Sequence, residues 1–93
     1  MILIGGLIMM LRDSIQAIEE LRGYYGRDET NAYQNPHFIK ETINILEETY
    51  PKRARNLSIR NIQDNLRFAL EHPDVRYVTV EESIQTLKDR GGV

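Results

Sequence analysis

Lys52, Arg53 and Arg55 fall within one four-residue window, and Arg60, Asn61 and Arg67 follow in the next stretch. Ammonium and guanidinium groups neutralise phosphates, and Arg and Asn are residue types that read base edges bidentately in the DNA major groove. From Lys52 to Arg67 five positive residues accompany a single acid, Asp64. These six residues are the candidate surface for nucleic acid or for an acidic protein. The same positions also suit a solvated helix face. Arg60–Asp64 and Arg67–Glu71 are opposite charges at i,i+4 and Asp64–Arg67 at i,i+3, each pair contributing roughly 0.2–0.5 kcal/mol.

The rest of the chain does not share this basic character. Residues 1–51 hold four positive and eight acidic side chains, residues 52–93 eight and six, and the net charge is −2 with a pI near 5.6. A chain so balanced is not built for general coating of nucleic acid or of anionic membranes.

Catalytic chemistry has no comparable foothold. His37 lies four residues before Glu41, so both can face one cation, but two ligands fall short of the three or four of a zinc site. His72 stands at a helix end, where the dipole favours positive charge and a structural role suffices. Cysteine is absent, which excludes disulfides and thiolate sites and suits a reducing cytoplasm. The adjacent acids Glu19-Glu20, Glu47-Glu48 and Glu81-Glu82 point different ways on a helix, and Gly5-Gly6 lacks the further residues of a phosphate loop. The expectation is a non-enzyme without metal or cofactor.

The candidate basic residues need a support. Ile59, Ile62, Leu66, Ala69 and Leu70 recur at three- and four-residue steps, which predicts a helix over 58–71 with Ser58 as N-cap and His72-Pro73 as its stop. Another helix spans 35–50, with Asn35 as N-cap, Pro36 at the first position, and Ile39, Ile43, Leu46 and Tyr50 inward. A first helix runs through Leu7, Leu11, Ile15, Ile18 and Leu21 to a stop at Gly23. The polar stretch Tyr24–Gln34 reads as a loop whose tyrosines cover the core. The Val-, Tyr- and Thr-rich run predicts a strand over 75–80, and Thr79-x-x-Glu82 predicts the capping box of a last helix over 81–90.

The segment 1–11 is almost purely apolar yet too short for a bilayer crossing, which needs about twenty residues. It has neither the basic start nor the cleavage site of a signal peptide. Ile2, Ile4, Leu7 and Ile8 are expected at a subunit interface, making the protein a homo-oligomer with no membrane association.

With 93 residues, 41% hydrophobic and 28% charged, the chain predicts one domain that buries roughly 60–65% of its unfolded surface. The expected class is mainly α (α+β): three to four helices around one core with one or two short strands, in an arrangement compatible with a winged helix. Residues 69–82, ALEHPDVRYVTVEE, resemble the strand-to-helix junction that closes polysaccharide deacetylases. That family's metal motifs are missing here, so the resemblance implies no activity.

Two functions remain open at this level. One is a DNA-binding regulator of helix-turn-helix or winged-helix type using loop 52–55 and helix 58–71. The alternative is a small helical protein–protein interaction module, adaptor, antitoxin-like or inhibitor, acting through its apolar arm and strand edge.

Overall fold

The amphipathic stripes read from the sequence become helices that bury one face each. The computed structural model describes residues 11–26, 29–49 and 57–91, and these form five α-helices and one short 3-10 turn. They are α1 (Leu11–Tyr25), α2 (Glu29–Gln34), α3 (Pro36–Thr49), α4 (Leu57–Glu71) and α5 (Arg76–Gly91), with the 3-10 turn Pro73–Val75 joining the last two.

α3 begins where its sequence says. The Asn35 side-chain oxygen accepts the backbone N–H of His37 at 2.8 Å, which satisfies one donor of the open first turn. Phe38, Ile39, Thr42, Ile43, Leu46 and Thr49 then turn inward at helical spacing. α4 supplies Ile59, Ile62, Leu66 and Ala69, α1 supplies Ile15 and Ile18, and α5 supplies Val80, Ile84 and Leu87. Fully burying one such Leu, Ile or Phe contributes about 1.5–3 kcal/mol. α4 packs on α3 and α5, α1 packs on α3 and α5, and α2 sits against α1 and α5.

Polar ties fix how these helices meet. Gln63, buried on α4, donates to the Glu47 carboxylate of α3 at 3.0 Å and more weakly to the Ile43 carbonyl at 3.4 Å. The hydroxyls of Ser14 on α1 and Thr49 on α3 are bonded to each other. Lys88 on α5 reaches Glu19 on α1 at 3.1 Å, and Arg22 forks onto the same carboxylate at 2.8 and 3.1 Å.

The expected strand over 75–80 is not one. Its residues belong to the 3-10 turn and to α5, and no strand occurs among the described residues. In a strand Val78 and Val80 share a face, whereas on a helix two residues span about 200° and face apart. Val80 is 0% exposed and Val78 is 54% exposed, which is the helical outcome. The stripe Tyr77, Val80, Ile84, Leu87 runs at steps of three, four and three. Burying it outweighs the modest β preference of Val, Tyr and Thr. The last helix therefore starts at Arg76 and not at 81, and Thr79 is interior to it, its carbonyl accepting the Ser83 hydroxyl at 2.8 Å. The pair of strands that a wing requires is thus absent among the described residues, and the α+β element of the expected class gives way to helix. The resemblance over 69–82 loses its strand as well.

Two smaller corrections concern the first half. α1 passes through Gly23 to Tyr25, and the stretch read as a loop contains α2, whose Ala32 and Tyr33 are buried. The predicted arm 1–11 lies outside the described residues apart from Leu11, and the basic loop 52–55 lies wholly outside them.

Candidate functional site

α4 is amphipathic enough to carry two faces with different duties. Its inner face locks the helix to α3 and α5, so the outer face is presented on a firm support. Arg60, Asn61 and Arg67 are all exposed there, as the helical stripe required. Of the ion pairs expected on this face, Arg67 Nη1 meets Asp64 at 3.2 Å, between side chains that remain well solvated. Such a pair contributes a few tenths of a kcal/mol at most, roughly, and orients Arg67 more than it stabilises the fold. Lys52, Arg53 and Arg55 fall outside the described residues, as do Ile2, Ile4, Leu7 and Ile8.

Two grooves flank α4. Toward α3, a space of about 440 Å³ is lined by Lys40, Ile43, Asn44, Arg67, Leu70 and Glu71. Two cations and one acid stand around an apolar floor, and the groove lies open to solvent. Toward α5, a smaller space of about 130 Å³ lies between Ile62 and Asn65 on one side and Thr79, Glu82, Ser83 and Thr86 on the other.

The residues that sequence reasoning missed flank the connection between α4 and α5. Phe68 is 49% exposed, Val75 39% and Val78 54%. Phe68 stacks on the His72 ring with centroids 3.8 Å apart and planes 13° apart, and His72 Nδ1 lies 2.9 Å from the Phe68 carbonyl oxygen. The signal for Phe68 is present in the sequence, since it is a large apolar residue of α4 that falls off the inward stripe. Val75 and Val78 fall in the run whose composition predicts a strand, and a strand there gives no sign of their exposure.

The histidine and carboxylate considered for a cation do something else. Tyr25 donates its hydroxyl to Glu41, and its ring stacks on His37 with centroids 6.5 Å apart. That bond to a carboxylate, aided by burial, raises the Tyr25 phenol above its ordinary range. No group of three or more His, Cys, Asp or Glu residues converges on a metal-sized space among the described residues. No helix among them is long and apolar enough to cross a membrane.

Comparison with protein-family models, with curated proteins and with solved structures gives no match.

Proposed function

We propose that the chain is a small non-catalytic protein–protein interaction module that engages its partner at the corner where α4 turns into α5. One observation carries this reading. Phe68, Val75 and Val78, three of the four large apolar residues exposed among those described, occupy eleven consecutive positions spanning that corner. Single exposed apolar residues are ordinary, but a local group of them marks a contact surface. Charge points the same way. The chain as a whole carries fourteen acids and twelve Lys or Arg residues, a net charge of −2 that gives no general match for phosphate. The strand edge once expected to serve this role is replaced by the helical corner.

The test is photo-crosslinking in the native cell from a benzophenone amino acid at Val75, with the same group at exposed Gln16 on α1 as control. Discrete protein adducts from position 75 alone are expected. Equal adducts from both positions, or none from either, would remove the reading.

A second reading, a DNA-binding regulator, is favoured by a different observation: Arg60 and Asn61 are exposed in the first turns of α4, directly after the cationic run 52–55. Lys52, Arg53, Arg55, Arg60, Asn61 and Arg67 would then contact the duplex. Fluorescence polarisation with random duplex DNA at roughly 50 mM salt tests it, against a Lys52/Arg53/Arg55→Ala variant. Absence of binding up to about 100 μM excludes it, since non-specific binders already reach that affinity.

A further inference from the structure

We infer that the partner presents a cationic amphipathic helix, and that this helix lies along the α4–α5 groove with its apolar stripe on Phe68, Val75 and Val78. The inference rests on the interaction-module reading and specifies the chemistry that reading leaves open.

Register places the apolar residues together. Asn65 shares the smaller groove with Thr79 and Glu82, and Ile62 shares it with Ser83 and Thr86. Nearer the turn, Arg76 bonds the Ala69 carbonyl. The two helices therefore run antiparallel, with residue sums near 145 facing one another. One turn from Asn65 toward the connection stands Phe68, and one turn from Glu82 in the same direction stands Val78. Val75 completes the set within the connecting 3-10 turn. The groove thus opens from a polar floor into an apolar seat.

The charge on the α5 side of that seat is one-sided. Asp74, Glu81 and Glu82 are exposed there and Arg76 is the one basic side chain between residues 74 and 82, while Glu71 faces Lys40 and Arg67 in the other groove. Arg76 does not offset them outward, because its three guanidinium nitrogens donate to the carbonyls of Ala69, Leu70 and Gln34. Lys or Arg residues flanking an apolar stripe complement this rim, whereas an acidic helix would be repelled. A helix is the fitting element because the ridge of one helix seats in the groove between two others, as in helix-in-groove recognition. Strand addition has no unpaired sheet edge to use among the described residues.

The probes are three synthetic peptides of about eighteen residues, long enough to form a helix on binding. One carries a Leu stripe at helical spacing with a Lys-rich opposite face. The second replaces Lys by Glu, and the third scrambles the first so that its stripe is lost. Binding to the full chain is read by fluorescence polarisation at roughly 50 mM salt, where charge selection is weakly screened, and mapped by NMR shifts.

The Lys-faced peptide is expected to bind, moving the signals of Phe68, Val75, Val78 and Glu82 and weakening as salt rises. Phe68→Ser and the Glu81/Glu82→Lys double variant should each weaken it by about tenfold or more, as loss of an anchor or of its complement does. All substituted positions are exposed, and circular dichroism confirms that the variants are folded. Equal binding of the Glu-faced or the scrambled peptide overturns the inference. Dimerisation of the wild-type chain that Phe68→Ser abolishes also overturns it, because a second copy is then the occupant. Failure of the Lys-faced peptide while Val75 still crosslinks a protein overturns the inference alone. Failure of the crosslink removes the interaction reading beneath it.

Discussion

The guanidinium of Arg76, at the start of α5, donates to the carbonyl of Gln34, at the end of α2, at 3.2 Å. Its other nitrogens serve the Ala69 carbonyl at 2.9 Å and the Leu70 carbonyl at 2.8 Å, both in the last turn of α4. The last carbonyls of a helix have no partner within it, and their partial negative charge favours a cation. One side chain thus closes two helix ends and fixes the corner at which they meet α5.

Arg76→Ala is accordingly expected to lower stability by about 1–3 kcal/mol, the range for losing hydrogen bonds to a charged group. Urea unfolding measures it. Arg76→Lys should recover less than half of the loss, because an ammonium keeps the charge but cannot fork to three separated carbonyls. A cost below about 0.5 kcal/mol for Ala, typical of an idle surface position, would show that water replaces these bonds without penalty.

Gly23 sits inside α1, exposed, and a Cβ built on it meets nothing within 4 Å. Its backbone is helical, so it supplies no left-handed stop, and Gly in a helix interior is only a source of unfolded-state entropy. Gly23→Ala should therefore raise stability by about 0.5–1 kcal/mol. An unchanged or lower urea midpoint would mean that α1 ends at Gly23 in solution.

That position also shows what the sequence could and could not convey. Stripes of three and four spacing placed α3 and α4 within a residue or so of their observed bounds, and Asn35-Pro36 and His72-Pro73 marked a start and a stop. These signals act within a few residues of themselves. Gly23 and the run 75–80 depart from their sequence expectation because their local preferences are weak and tertiary packing overrides them. Tyr25 is drawn into helix by Glu41 and the core, and Val80 by burial between its neighbours. Arg76 illustrates the limit most plainly, since nothing in its surroundings names Gln34, forty-two residues away. Of the expected site, Arg60, Asn61 and Arg67 are legible as outward residues of α4. The apolar corner is not, because the Val-, Tyr- and Thr-rich composition around Val75 and Val78 reads locally as a strand.

Glu19 joins α1 to α5 through Lys88, and its carboxyl is held below its ordinary value of 4.5, first by the hydrogen bond from Arg22 and further by Lys88, with partial burial opposing. A folded-state value below the unfolded one means that the folded chain binds fewer protons. The contribution is fully present above the unfolded value and disappears as pH falls through the folded one. Wild type should therefore lose more stability than Glu19→Gln between about pH 5 and pH 3, the two curves converging at the acid end. Thermal unfolding across that range measures the difference. Parallel curves would show that the cluster is too solvated to couple to folding.

Leu66 and Phe68 lie two residues apart on α4 and on opposite sides of it, the first 0% exposed within the core and the second 49% exposed. Residue type alone ranks Phe68 as the larger loss on truncation, and burial reverses that order. Leu66→Ala removes methyl groups from a site closed on all sides, leaving a cavity that neighbours only partly fill, and should cost about 2–5 kcal/mol. Phe68→Ser gives up the stack on His72 and some contact area that water already reaches, so its cost should stay within about 1 kcal/mol. Urea denaturation of the two variants side by side decides the matter, with equal slopes confirming that both unfold from the same compact state. If Phe68→Ser proves the more damaging, Phe68 belongs to the core in solution and no longer offers a contact surface. If the expected order holds, the chain retains at this corner a large apolar side chain that contributes little to its own folding, and a binding role gives that side chain a physical reason to be there.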